Sequence, residues 1–142
     1  MTAVLPFRPV ARHRTARHGA QRTPADLGAR VAGMFALIDI ARWDALAAYF
    51  HDDVDYIRPG YAPIRGLADL LDFYRHRRIV HSGCHVLELL CTDASGQAVS
   101  ATGSFTGTDR QGHPLAVRFC DVYRFRGVKI ARRETFFNAP AV

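Results

Sequence analysis

The sequence lacks any apolar run that approaches the roughly 18 to 20 residues needed to cross a lipid bilayer. Its first residues, MTAVLPFRPVARHRTARH, also lack the uninterrupted apolar segment of a secretory signal. We therefore expect a cytoplasmic protein with no membrane partner.

Cysteine is scarce, and its spacing is uninformative for metal binding. The chain has 3 cysteines, Cys84, Cys91 and Cys120, with no CxxC pair among them. An odd number of cysteines without an export signal is typical of reduced thiols in the cytosol. We expect neither a disulfide nor a zinc site.

The motifs of cofactor binding and covalent catalysis are missing as well. No GxGxxG, GxxxxGK, GxSxG or HExxH pattern occurs in the chain. His81 and His85 form HxxxH, which would suit a metal on a helix, but on the strand predicted there they would lie roughly 13 Å apart. The expected chemistry therefore uses neither a cofactor nor a metal.

Acidic residues are absent from the first 23 positions, which contain five arginines. This segment accounts for most of the formal net charge of +6, so the remainder of the chain is nearly neutral. We interpret residues 1–23 as a disordered basic arm and residues 24–142 as one domain. The arm could contact RNA, DNA or an acidic partner, but a solvated extension or a misassigned start is the preferred interpretation, so we do not expect a nucleic-acid partner.

Helical periodicity dominates the first half of the domain. Apolar residues at three- and four-residue spacing predict a helix over 24–41, a shorter second helix that ends near His51, and a third helix over 67–79. A short strand over 54–57 precedes Pro59 and Gly60. The second half alternates in the manner of strands, over 81–93, 98–107, 115–125 and 128–137, with turn residues between them. Three helices followed by four or five antiparallel strands predict an α+β fold.

Strand alternation also predicts which residues face the core. In LAVRFCDVYRF, one face carries five apolar or aromatic residues and a single carboxylate, Asp121. Because a buried charge is costly unless it is paired or neutralised, Asp121 is the first candidate for a functional residue. Glu88 prefers solvent, which turns His85 inward on the preceding strand. The small residues Ala101 and Gly103 beside Phe105 and Phe119 indicate a cavity between the sheet and the helices.

Two segments resemble the superfamily of SnoaL-like polyketide cyclases and ketosteroid isomerases. They are YFHDDVDYIRPGYAPIRGLADLLDFY, residues 49–74, and CDVYRFRGVKIARRETFF, residues 120–137. The resemblance covers about residues 24–137. It implies the cone-shaped α+β barrel of nuclear transport factor two, in which three N-terminal helices pack on a curved, antiparallel to mixed sheet. It also implies a homodimer that forms through the outer sheet face.

The resemblance implies roles for individual residues. Asp121 falls where ketosteroid isomerases keep a protonated acid and where the cyclases keep their acid/base Asp; an apolar pocket favours such a neutral carboxylic acid. Arg58 stands where the isomerases have their catalytic base, and Met34 stands where their first helix has a tyrosine. Steroid isomerisation is therefore not expected. An alternative is that Asp121 forms a structural ion pair with a neighbouring arginine.

Three further side chains complete the predicted catalytic set. Tyr56 and Arg58 share strand parity, so both should face the cavity if one does. Arg58 could hold an enolate, a carboxylate or another anionic group, or it could neutralise Asp121. His85 could exchange protons with a substrate or be an ordinary core residue. The predicted walls of the substrate pocket are Met34, Tyr74, Phe105, Phe119 and Tyr123.

The last strand has two possible inward sets. One brings Arg132 and Glu134 inward, and the other brings Arg133 and Thr135 inward; the resemblance favours the second set, so Glu134 is left outside the site. The preferred function is a cyclase, dehydratase or isomerase of secondary metabolism that moves protons on a small-molecule substrate, next to a carbonyl or imine. The alternatives are epoxide opening and a non-catalytic binding domain with a salt-bridged Asp121. A pocket plugged by side chains would favour the binding domain.

Overall fold

A computed structural model of the protein describes residues 24–139. The predicted basic arm, residues 1–23, and residues 140–142 lie outside the described residues. Among the helices that the structure does describe, none is long and apolar enough to cross a membrane.

The helices begin as the sequence predicts, but two of them are short. The first is α1 (Pro24–Asp39); α2 (Trp43–Leu46) continues into a 3₁₀ turn (Ala47–Tyr49), and α3 (Leu67–Asp72) continues into a π-helical turn (Phe73–Arg77). The apolar stripe of α1 is buried, as predicted, through Leu27, Val31, Met34, Phe35 and Ile38.

The second helix does not reach His51, because the chain turns into a strand at Phe50. Phe50 pairs with Ile130 of the last strand, and its side chain is fully buried. The sheet contact therefore overrides the local helix preference of the alanine-rich segment before it.

The sheet has six strands, rather than the four or five antiparallel strands predicted. They are β1 (Phe50–Ile57), β2 (Ile64–Arg65), β3 (Val80–Thr92), β4 (Ala98–Asp109), β5 (Pro114–Arg126) and β6 (Lys129–Phe137). Their order is β2-β1-β6-β5-β4-β3. All neighbours are antiparallel except β1 and β6, which run parallel, so the sheet is mixed.

The inner face of the sheet follows the predicted alternation. On β5, Val117, Phe119, Asp121, Tyr123 and Phe125 are buried, and on β4 Val99, Ala101, Gly103 and Phe105 are buried. Because α1 packs over β3 and β4, this face forms the floor of the core beneath the helix. The fold therefore places Asp121 in the interior.

Gly103 of β4 pairs with Leu87 of β3. A Cβ atom at this position would overlap the carbonyl oxygen of Val86 and approach the ring of Phe119. Since the obstructing oxygen belongs to a paired strand, it cannot move without disturbing the ladder.

Gly103→Ala is therefore expected to lower the free energy of unfolding by about 1–3 kcal/mol, the usual cost of overpacking a core. The matched control is Gly28→Ala on α1, whose added Cβ would lie 3.9 Å from Leu90 Cδ1 and favours helix. Urea unfolding of both variants measures the difference. Equal midpoints for the two variants would contradict the steric explanation.

Candidate active site

Asp121 is fully buried and is held by two neighbours through one oxygen. Its Oδ2 accepts hydrogen bonds from Tyr123 Oη at 2.6 Å, and from Arg133 Nε at 2.9 Å and Nη2 at 2.6 Å. Arg133 is itself only 5% exposed. The buried carboxylate is therefore part of an ion pair, and its partner is Arg133 rather than Arg58.

The register of β5 and β6 explains this pairing. Tyr123 lies opposite Arg133, and Asp121 lies opposite Thr135, so the side chains of Asp121 and Arg133 are diagonal neighbours on one face. Arg133 and Thr135 are buried, whereas Glu134 remains partly exposed. The second of the two predicted inward sets is confirmed.

Burial and the ion pair shift the pKa values of the network. Burial alone would lower the pKa of Arg133, but the Asp121 carboxylate raises it well above its ordinary value. Burial raises the pKa of Tyr123 well above its ordinary value and that of Tyr74 to about 12. At neutral pH both phenols are protonated, and Tyr74 Oη accepts a hydrogen bond from Arg133 Nη1 at 2.6 Å.

The two carboxylate oxygens of Asp121 differ in their contacts. Oδ1 is buried and has no hydrogen-bond partner within residues 24–139, and Asp121 lines an internal cavity. An acceptor without a donor in such a place is costly, so a donor group from a ligand would be stabilised there.

His85 is held by a carboxylate that the sequence analysis did not single out. Asp39, the last residue of α1, lies with Oδ1 2.5 Å from His85 Nδ1, and its Oδ2 accepts the backbone N–H of His85 at 3.0 Å. The His85 side chain is 14% exposed and the Asp39 side chain is 18% exposed. The histidine ring packs against Phe35 and Phe105, both at 4.7 Å between ring centroids.

The cavity brings together most of the predicted site residues. Its wall includes Tyr56, Arg58, Tyr74, His85, Phe105, Phe119 and Asp121 of the predicted set, together with Arg78, Arg133 and Thr135. Met34 and Tyr123, two predicted wall residues, instead lie fully buried in the core. Tyr123 contacts the cavity wall from behind, through its hydrogen bond to Asp121 and its ring contacts with Phe35 and Arg133.

The free space of the cavity is about 50 Å³, which is small beside the roughly 300–1,000 Å³ of typical ligand pockets. The cavity wall includes three arginines, Arg58, Arg78 and Arg133, but a single carboxylate, that of Asp121. The cavity is therefore positively charged, and larger ligands require side chains to move.

Arg58 lies on the cavity wall among aromatic rings. Its Cζ atom is 5.2 Å from the ring centroids of Tyr61 and Phe73, and Nη1 donates to Tyr56 Oη at 3.4 Å. Tyr56 Oη in turn shares a hydrogen bond with Thr135 Oγ1 at 3.2 Å. The predicted shared orientation of Tyr56 and Arg58 is confirmed.

Comparison with known protein families identifies the family of this chain. The sequence pattern described as a SnoaL-like domain matches residues 31–133, most of the chain. The chain belongs to the SnoaL-like domain family. No curated protein matches the sequence significantly.

Solved structures show that this SnoaL-like domain has the fold of nuclear transport factor two. It is similar to an NTF2-like protein of unknown function from Burkholderia pseudomallei, with a TM-score of 0.72, 15% identity, and coverage of 80% of this chain and 91% of that chain. It is similar to a candidate polyketide cyclase from Xanthomonas campestris, with a TM-score of 0.73, 16% identity, and coverage of 81% and 92%.

An LEH-like epoxide hydrolase from M. tuberculosis is also similar, with a TM-score of 0.70, 17% identity, and coverage of 80% of this SnoaL-like domain and 84% of that chain. Proteins with different named activities thus share this fold. The chemistry of this chain has to be argued from its own side chains.

Proposed function

We propose that this SnoaL-like domain is an enzyme that moves a proton next to the carbonyl of a small anionic substrate, as a cyclase, dehydratase or isomerase does. The observation that carries the proposal is the Asp39–His85 pair on the border of a cavity lined by three arginines. An imidazole beside a positive cavity is suited to forming and stabilising an enolate.

Asp39 determines how His85 acts. When the neutral His85 ring carries its proton on Nδ1, it donates a hydrogen bond to Asp39 Oδ1. The Nε2 atom then has a free lone pair and can accept a proton. The backbone contact from His85 to the same carboxylate holds the ring in place. In the proposed reaction, Nε2 takes a proton from the carbon next to the carbonyl, and the electron pair moves to the carbonyl oxygen.

Arg58 and Tyr56 are proposed to stabilise that developing negative charge. The Arg58 guanidinium carries the positive charge, and the hydroxyl of Tyr56, which accepts from Arg58 Nη1, is proposed to donate its proton to the substrate oxygen. The proposed role of Asp121 differs from the acid that the resemblance implied. Because Arg133 and Tyr123 direct three donor groups to its Oδ2, Asp121 is held as the ion-pair partner of Arg133, and its Oδ1 is proposed to accept a hydrogen bond from the substrate.

One observation favours a second candidate, a non-catalytic binding domain. Asp121 is salt-bridged, and arginine side chains narrow the cavity, which is the arrangement expected of a binding domain. In that case the cavity would hold an anion without changing it.

Hydrogen exchange separates the two candidates without knowledge of the product. The protein is incubated in D₂O with phenylpyruvate or 3-benzoylpropionate, two aryl keto acids with exchangeable protons, and proton NMR measures deuterium entry next to the carbonyl. An enzyme accelerates exchange above the buffer rate. A protein that shifts the ligand resonances without accelerating exchange of either probe is a binding domain.

The proposed assembly is a homodimer through the outer face of the sheet. Val86 and Phe136 lie on this face at 56% and 50% exposure, beside the ion pair of Arg118 with Glu88. An apolar patch with polar surroundings is typical of an interface. The molar mass in solution tests this assembly.

A further inference from the structure

A second pocket lies beside the cavity and is larger than it, with about 160 Å³ of free space. Its wall includes Trp43, Arg75, His81 and Arg110, and it shares Tyr74, Arg78 and Val80 with the inner cavity. A ligand in this pocket would therefore lie next to the proposed site. We call it the arginine pocket, after Arg75, Arg78 and Arg110.

Two separate segments provide the three arginines of the pocket. Arg75 belongs to the π-helical turn and Arg78 follows directly after it, whereas Arg110 comes from the turn between β4 and β5. Arg110 donates from Nε to the carbonyl oxygen of Arg78 at 2.9 Å and from Nη2 to that of Arg75 at 3.3 Å. These bonds hold the arginines together although their charges repel each other.

The positive charge of the pocket is only partly neutralised. Arg75 pairs with Asp44 at 2.6 Å, but the Asp44 side chain is 96% exposed, which weakens the pair. Arg78 is 9% exposed, and no acidic side chain in the described part of the chain forms an ion pair with it. Its Cζ atom lies 4.8 Å from the Trp43 ring and 5.6 Å from the Tyr74 ring.

Burial leaves Arg78 in an unfavourable environment that an anion would relieve. Desolvation lowers the pKa of Arg78 and outweighs the opposing effects of Tyr74 and of the more distant Asp39 carboxylate. The ring contacts offset only part of the cost of burying a cation. Beside it, Trp43 and Tyr74 stack with centroids 5.3 Å apart, which provides a flat apolar surface.

We propose that the arginine pocket binds the carboxylate or phosphate of an aromatic ligand, with Arg78 as the principal contact and the Trp43–Tyr74 stack as the apolar surface. The shared wall lets the rest of the ligand extend from this pocket toward His85. The identification of that ligand as the substrate rests on the proposed function, whereas anion binding itself does not.

Trp43 is the single tryptophan of the chain, so its fluorescence reports directly on this pocket. The probes are phenyl phosphate, 3-phenylpropionate and the neutral 3-phenylpropanol. Both anions should change the Trp43 fluorescence in a saturable way, and both should bind more tightly than the alcohol. The tighter of the two anions identifies the preferred head group.

Arg78→Met keeps the length of the side chain and removes its charge. It should weaken binding of the anions about tenfold or more and leave the alcohol unaffected, because a lost charged hydrogen bond acts only on the anions. Arg75→Met, at a more exposed position, should also weaken the binding of both anions. It replaces Arg78→Met in the test if that variant does not fold. Arg65→Met, at an exposed position on the edge strand β2, is the control and should bind like the unaltered protein.

Two results would overturn the inference: no saturable fluorescence change with either anion at millimolar concentration, or equal loss of affinity for the anions and the alcohol in the arginine variants. The deuterium exchange of the unaltered protein is measured in parallel. Deuterium exchange without anion binding would reject the arginine pocket and support the proposed enzyme. Anion binding without deuterium exchange would support the arginine pocket and reject the proposed enzyme.

Discussion

Arg133→Met is expected to lower the free energy of unfolding by about 3–5 kcal/mol, because it leaves the buried Asp121 without its cation. Methionine fills much of the space of the arginine stem but cannot donate to the carboxylate. Tyr123 would remain the one donor to Oδ2 that the described contacts provide, and Tyr74 would lose its donor as well. The cost therefore comes from the unpaired charge more than from a loss of packing.

Denaturant unfolding of three variants tests this explanation. Arg132→Met, the neighbouring arginine whose side chain is 43% exposed and 3.5 Å from Glu134, should change stability by no more than about 1 kcal/mol. The double variant Arg133→Met with Asp121→Leu removes both charges and should recover most of the loss. If the double variant were as unstable as Arg133→Met alone, packing rather than charge would explain the effect.

His85→Gln is expected to slow the deuterium exchange of the keto acid probes by about 10²- to 10⁴-fold, the usual contribution of a general base. Asp39→Asn should also slow it strongly, because an amide can donate to Nδ1 and so favour the tautomer with the proton on Nε2. Both variants should bind the probes with nearly unchanged affinity, since neither residue provides the positive charge of the cavity.

The control for His85→Gln is His113→Gln. His113 forms the same kind of pair, with Asp109, but its side chain is 73% exposed. It should exchange the probes at the rate of the unaltered protein. Exchange that His85→Gln leaves intact would exclude His85 as the base and turn attention to Asp121 Oδ1, the other acceptor at the cavity.

The inward residues of the central strands could be predicted because their alternation is regular. On β5, the period of two places Asp121 among aromatic residues, and the structure confirms its burial. The last strand reads IARRETFF, in which Arg132 and Arg133 are adjacent and apolar residues occur at both parities. Periodicity alone cannot orient such a strand, and its register with β5 decides the question.

Asp39, the partner of His85, could not be predicted from the local sequence pattern. Asp39 ends a helix that was interpreted only through its apolar stripe, and it meets His85 46 positions later in the chain. Pairing between a helix end and a strand depends on how the helix crosses the sheet, which spacing along the chain does not encode. A polar residue that directly follows the stripe at Ile38 was the one available signal.

The parallel pairing of β1 with β6 has a consequence for biosynthesis. β1 spans Phe50–Ile57, and its partner is β6, the last of the six strands along the chain. A ribosome releases the chain from its N-terminus, so β1 and the short β2 emerge long before β6 (Lys129–Phe137), and the ladder between β1 and β6 cannot close until then. Contacts between such distant segments slow folding and leave strand edges uncovered in the interim. Nascent chains that stop before Lys129 should therefore depend on chaperones, whereas chains that include β6 can close the sheet without them.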